Sequence, residues 1–404
     1  MPGKTLARLL SLAALLMLPA SAVAQAHRVT FVLDLRAEIA AGRFDPARDG
    51  VGVRGGTAPL TWESTLLAMD ADGDGRYQVE ATFPRAPFGG QAVAYKLKKE
   101  RPGDPRGGWE GGRNRQLFLR EPLQRVERAF DAPPEPVVLS RVGTIRRHPA
   151  FPSKLLPPRE VQVYLPPGYE RDGSRRYPVL YLQDGQHVFD GAEAGMEWQV
   201  DERAEALIAA GRIQPLIVVA VANTEARTEE YTPRVVEYPQ PDGRVAREGG
   251  KADLYGRFLV EELKPFIDRT YRTRPEAAST AIGGASFGGL VSLWLALGWP
   301  QVFGQVLAVS VPGDWDDGVL LQRVAALSQR APLRVWVDLG TLERESIVTG
   351  ARQLRAALEA KGWKVGEDLA YVEQEGGQHD EISWASRVED MLTFLFPPVA
   401  DRAP

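Results

Sequence analysis

The sequence predicts an α/β chain: a mostly parallel sheet covered by helices, preceded by a small all-β sandwich. Three observations carry that expectation. Between residues 27 and 131, short alternating strands are separated by turns rich in glycine, proline and aspartate. Beyond residue 136, nearly continuous apolar runs alternate with longer helical stretches. One glycine-rich corner, Ile282-Gly-Gly-Ala-Ser-Phe-Gly-Gly-Leu290, joins such a run to such a helix. At 404 residues the chain is long enough for two or three domains. Its 44% hydrophobic and 25% charged residues are an ordinary globular balance.

The first segment lies apart from any core. Lys4 and Arg8 precede an apolar run from Leu9 to Leu18, then Pro19 and the small-residue exit Ala22-Val-Ala24. A basic start, a short apolar middle and an A-x-A exit make residues 1–26 a secretory signal peptide. The run is short for a bilayer span. A periplasmic or secreted protein with no membrane attachment after cleavage is expected. Cleavage would remove two positive charges from a chain of net charge −4. So acidic a product argues against a nucleic-acid partner. Without cysteine, disulfides and thiolate metal sites are excluded. No metal or other cofactor is expected.

Residues 27–135 form the expected sandwich. Val29, Phe31, Leu33 and Leu35 alternate in "HRVTFVLDLR", as in a strand. "GVGVRG", "RYQVEATF" and "AVAYKLKKE" continue the pattern. "DADGDG" at Asp70–Gly75 mimics the start of a calcium loop, but Ala81 stands where the twelfth-position glutamate belongs. A hairpin turn is the better reading. Trp62 in "LTWES", "YKLKK" at Tyr95–Lys99 and "GGWEGGRNR" at Gly107–Arg115 resemble the starch-binding domain family. In that family two tryptophans form a stacking platform for glucose rings. The resemblance implies a glycan site at Trp62 and Trp109, with Lys96 and Asn114 as polar neighbours. A sugar's C–H face packs on an exposed aromatic, so the chemistry is consistent. The competing reading puts both tryptophans in the core or at a domain interface.

"DAPPEP" at Asp131–Pro136 is a semi-rigid linker by composition. Residues 136–404 follow as the α/β domain, and a second proline-rich patch, "HPAFPSKLLPP", lies near its start. "EVQVYLPPGY" alternates as a strand, whereas "YPVLYLQDG" and "LIVVAVAN" read as buried strands. "YGRFLVEELKPFID" is an amphipathic helix with Phe258, Leu259, Leu263 and Phe266 on one side. "TAIGGASFGGLVSLWLAL" reads strand, turn, helix. "VFGQVLAVSV", "PLRVWVDLG" and "LAYVEQE" supply further strands, and "ISWASRVEDMLTFLF" a closing helix. Alternating β and α units argue for a parallel sheet with both faces covered.

The glycine corner contains G-x-S-x-G at Gly284–Gly288. A serine hydroxyl is a weak nucleophile and needs a base, with a third group to orient the base. The motif places Ser286 on a crowded strand-to-helix turn, which is why glycines flank it. In this motif's chain order the serine precedes the acid and the histidine follows. Of the four histidines only His379, in "EGGQHDEISW", lies beyond Ser286. His187 precedes the serine and fits a pocket wall or a plain loop better. "VWVDLGTLERE" offers the acid: Glu343 in the turn is preferred, with Asp338 in the strand as competitor. The oxyanion hole is expected from the N–H of Phe287 and an N–H of the "YLQDGQ" loop, assigned to Gln186. Trp198, Trp315 and Trp384 are candidate pocket walls, although core positions suit them as well.

Nine segments, among them "VYLPPGY", "YPVLYLQDGQHVF", "FLVEELKPFID", "GGASFGGL", "WPQVFGQVLAVS", "GTLE" and "GGQHDEISW", occur in order over residues 150–397. Together they resemble the esterase family that includes enterochelin esterases, feruloyl and acetylxylan esterases and esterase D. The resemblance implies an α/β-hydrolase fold and ester hydrolysis by Ser286 and His379. It favours Glu343, because family members place the acid after a G-T turn, yet some members use only a Ser–His dyad. The expected substrate is a small-molecule or carbohydrate ester. Two other readings stay open: an acyltransferase on the same fold, and a glycan-binding protein with a degenerate hydrolase domain.

Overall fold

The computed structural model describes residues 26–83, 92–112, 114–119, 123–132, 141–190, 196–239 and 244–398. The expected signal peptide, apart from Ala26, and the expected boundary at 135–136 lie outside them. Strands β1 (His27–Asp34), β2 (Gly50–Gly55), β3 (Leu66–Leu67), β4 (Arg76–Phe83), β5 (Ala92–Glu100), β6 (Arg115–Phe118) and β7 (Leu123–Ala129) build two small sheets. Their orders are β4-β1-β7 and β3-β2-β5-β6. One short helix, α1 (Arg36–Ala40), follows β1. Because side chains alternate across a strand, Val29, Phe31 and Leu33 of β1 face inward. They share one buried cluster with Val51 and Val53 of β2 and Val93, Tyr95 and Leu97 of β5. This is the sandwich that the alternation predicts. Asp70 takes the N–H groups of Gly73, Asp74 and Gly75, so the acidic loop between β3 and β4 closes on itself as a turn.

The remaining chain forms one large sheet. Its strands are β8 (Thr144–Phe151), β9 (Arg159–Leu165), β10 (Val179–Gln183), β11 (Ile217–Val221), β14 (Thr280–Ala285), β15 (Gln305–Val309), β16 (Arg334–Gly340) and β17 (Leu369–Gln374). The hairpin β12 (Val235–Pro239) and β13 (Val245–Gly249) stands outside it. The order is β17-β16-β15-β14-β10-β11-β9-β8. Pairing is parallel from β11 to β17 and antiparallel at β9 and β8.

The helices are α2 (Val200–Ala209), α3 (Arg227–Tyr231), α4 (Ala252–Arg257), α5 (Lys264–Thr270), α6 (Phe287–Gly298), α7 (Val319–Ala325), α8 (Glu345–Ala360), α9 (Glu381–Ala385) and α10 (Val388–Leu395). On β10, Val179 and Tyr181 enter one buried cluster, whereas Leu180 and Leu182 enter the cluster on the other face. Burial on both faces explains why that strand reads as an unbroken apolar run. Among the described residues no helix is long and apolar enough to cross a membrane.

Three details depart from the sequence reading. The proline-rich entry is partly strand: β8 runs through His148 to Phe151, with an irregularity between those residues. The amphipathic helix over residues 252–270 carries a π turn at Phe258–Leu263, and Phe266 is only half-buried beside it. The closing helix is two helices. Ser386, between them, donates back to the Ser383 carbonyl, and Arg387 turns inward to a buried carboxylate instead of continuing α9.

Candidate active site

Ser286 sits between the C-terminal end of β14 and the start of α6, with φ 56° and ψ −127°. Positive φ is costly for a residue with a side chain. The flanking glycines remove the collisions that the turn would otherwise force. A Cβ on Gly284 would lie 2.8 Å from the Gly288 carbonyl carbon, and one on Gly288 would lie 3.1 Å from Asp184 Oδ2. The serine N–H donates to Val309 O of the next strand (2.9 Å). That bond ties the corner to the end of β15.

His379 follows β17, and Glu343 follows β16. The parallel sheet therefore brings both to the same edge as Ser286, beyond the C-terminal ends of their strands. His379 Nδ1 lies 2.9 Å from Glu343 Oε2. An ionised carboxylate only accepts, so the ring proton is on Nδ1 and Nε2 is the basic nitrogen. The Trp384 ring meets the imidazole edge-on at 5.2 Å. Glu343 is held in turn: its Oε1 accepts from Ser310 Oγ (2.6 Å) and from Gly340 N–H (2.7 Å).

Asp338, the competing acid, is engaged elsewhere. It is fully buried in β16 and accepts from Arg387 Nε (3.1 Å) and Nη2 (3.2 Å) and from Trp336 Nε1 (2.7 Å). Burial pushes its carboxyl above the usual range, against the pull of Arg387 and Trp336. Asp380, next to His379, is also buried. Desolvation raises it to about 6, opposed by the Ser383 N–H that it accepts at 2.7 Å as the α9 cap.

Of the two expected oxyanion donors, Phe287 opens the helix at the corner, and Gln186 lies in the turn after β10, the strand beside β14. Phe287 is the first residue of α6, so its N–H has no acceptor within the helix. Gln186 lies in the 3-10 turn Gly185–His187, which follows Asp184 in left-handed conformation. The Gln186 side chain is fixed through Oε1, which accepts from Asn223 N–H (3.2 Å). His187 is outside this constellation. Its Nδ1 is buried without a hydrogen-bond partner among the described residues, and its carbonyl accepts from Trp198 N–H. His148 pairs with Tyr271 Oη (2.8 Å). Trp198 and Trp384 are core residues in ring contact, whereas Trp315 is half-buried against the Phe287 ring at 4.6 Å.

Trp62 and Trp109 are half-buried neighbours, with ring centroids 6.2 Å apart and planes at 50°. Lys96 spends its ammonium on the carbonyls of Glu110 (3.4 Å) and Gly112 (2.6 Å), pinning the loop that carries Trp109. Asn114 is half-buried nearby in sequence. Four residues escaped the sequence reading: Ser310, Arg387, Asp184 and Asn223. Each acts through a contact between segments distant along the chain, which periodicity and motif spacing do not carry.

The model of the family described as "Putative esterase" matches residues 154–395. The chain is 29% identical over 245 residues to the endo-1,4-beta-xylanase/feruloyl esterase of Xylanibacter ruminicola, covering 58% of this chain and 29% of that protein. It is 33% identical over 148 residues to the iron(III) enterobactin esterase of Escherichia coli K12, covering 35% of this chain and 34% of that one. The matched parts thus span about a third of either relative. Among solved structures, the enterobactin esterase of Shigella flexneri in the presence of enterobactin aligns over 86% of this chain and 87% of its own. The TM-score is 0.60 at 19% identity, a likeness of fold.

Proposed function

The chain belongs to the Esterase family, whose model spans more than half of it, and is an ester hydrolase; we propose that it works through Ser286, His379 and Glu343. The observation that carries this reading is the His379–Glu343 bond at the sheet edge where Ser286 occupies its strained corner. Ser286 Oγ attacks the ester carbonyl while His379 Nε2 takes its proton. The tetrahedral oxygen is met by the N–H groups of Phe287 and Gln186. Collapse expels the alcohol, which receives the proton from His379. Water, activated by the same nitrogen, then releases the acid. Glu343 keeps the proton on Nδ1 and stabilises the imidazolium.

We assign the substrate to the enterochelin, feruloyl or acetyl ester class; the relatives named enterobactin esterase and feruloyl esterase support the first two. Export by residues 1–26, with residues 27–135 and 136–404 as separate domains, belongs to the same proposal. Ser286→Ala should abolish turnover of a p-nitrophenyl ester with an unchanged circular dichroism spectrum. Retained turnover in that folded variant would sink the mechanism. A panel of acetyl, feruloyl and catecholate esters then ranks the classes.

A second reading concerns Trp62 and Trp109. Two half-buried rings side by side favour a sugar-stacking role for the N-terminal sandwich, with Lys96 and Asn114 shaping the loop beneath. Affinity electrophoresis in soluble starch or xylan should retard the protein, and Trp62→Ala should remove the retardation. Equal mobility with and without every glycan would exclude it.

A further inference from the structure

Asp184 occupies an unexpected place for a carboxylate. It precedes the turn that carries the Gln186 amide, and its Oδ2 lies 3.1 Å from where a Cβ on Gly288 would stand. It is therefore packed under the serine corner, between the two segments assigned as oxyanion donors. A negative charge there opposes the negative charge that develops on the carbonyl oxygen. Its backbone is also costly, with φ 55° and ψ 47° in a residue that has a side chain.

One cluster answers both problems. Arg227 Nε donates to Asp184 Oδ1 (2.7 Å) and Arg227 Nη2 to Oδ2 (2.9 Å), a bidentate pair. Asn223 Nδ2 adds a bond to Oδ1 (2.5 Å), and the Asp184 N–H donates to Tyr231 Oη (3.2 Å). Asn223 also holds the Gln186 side chain through its own N–H. Bonded to Asp184 before the Gln186 turn, the Arg227 guanidinium also lies 5.7 Å from the Phe287 ring centroid, so it spans both donor segments.

We infer that Arg227 is a positioning residue of the oxyanion hole: through Asp184 it locks the turn that aims the Gln186 amide, and it cancels a charge that would repel the transition state. This rests on the assignment of Ser286 as nucleophile and deepens it. Neither Arg227 nor Asp184 touches the reacting atoms, and their effect belongs in kcat.

The test is a set of variants assayed on one p-nitrophenyl ester, with a fluorophosphonate label mapped on the wild type first. Arg227→Met should lower kcat by about 10- to 100-fold while KM moves less than about threefold. Arg227→Lys, which keeps the charge but loses the fork, should recover about threefold of that loss and stay below wild type. Arg227→Met combined with Asp184→Asn should be about tenfold faster than Arg227→Met alone, because the unpaired charge is gone. A folded Arg227→Met enzyme within about twofold of wild type, or a loss confined to KM, overturns the inference. So does a double variant no faster than the single one. Should Arg227→Met fail to fold, Arg227→Lys decides, and an unchanged kcat there overturns it. A wild-type label on a residue other than Ser286 would overturn the underlying mechanism as well, so the two failures are distinguishable.

Discussion

Glu343 and Asp338 are both buried carboxylates near the same strand end, and their partners separate them. Glu343 turns one oxygen to His379 and gives the other to Ser310 and Gly340. Glu343→Gln should cut kcat by about 10² to 10⁴, since the imidazole loses the group that fixes its tautomer. Stopped assays with unchanged thermal stability would show it. Asp338→Ala should act on the fold instead. It strands Arg387 in a buried site, a loss of about 3 to 5 kcal/mol by denaturant titration. Asp380 gives a pH signature. Its folded carboxyl is raised to about 6 from 3.8, so the native state binds more protons over that interval. Stability from this group is present below about pH 4 and lost as pH rises through about 6. Asp380→Asn keeps a cap acceptor without the charge. It should be more stable than wild type at neutral pH, by up to about 3 kcal/mol, with the difference vanishing near pH 4. A difference independent of pH would contradict this.

At the scale of elements, the strand–turn–helix at residues 280–298 has little slack. Gly284→Ala places a methyl 2.8 Å from the Gly288 carbonyl carbon, which cannot move without shifting α6. A loss of about 1 to 3 kcal/mol in denaturant titration, with reduced kcat, is expected. This corner was legible because both its ends carry strong patterns: "TAI" runs into the sheet, and the helix behind Ser286 is apolar throughout. Strands β10 and β11 were legible as buried runs because both of their faces are covered. Strand β8 was not legible. "TIRRHPAF" has no apolar alternation, and as an edge strand it pairs with β9 on one side in the sheet order, so few of its side chains are buried. The candidate order Ser286, Glu343, His379 comes from position alone, and the structure sets Glu343 beside His379. Glu343 was preferred from its place in the turn; the Arg387 pair that engages Asp338 was not legible, because that side chain returns from the far end of the chain.

Across the whole molecule, the N-terminal sandwich and the catalytic sheet meet beside the histidine. With its amide oriented to satisfy both partners, Gln378 donates to Gly56 O (3.3 Å) and accepts from Ala58 N–H (3.2 Å). A Cβ on Gly56 would lie 3.2 Å from Trp62 Nε1, 3.4 Å from Met196 Sδ and 3.5 Å from Asp380 Oδ2. The turn after β2 therefore packs on the segment that carries His379. Gly56→Val should force these surfaces apart. The melting temperature should fall by several degrees, and kcat should fall with it as His379 loses its support; an unaltered melt and rate would show the contact to be slack. The proposed mechanism turns on covalent chemistry at Ser286. Rapid quenching of the enzyme with a p-nitrophenyl ester, followed by peptide mass mapping, tests it most directly. An acyl group is expected on the peptide containing Ser286, absent in Ser286→Ala. Steady turnover with no acyl adduct there, or with the adduct on another residue, would contradict it.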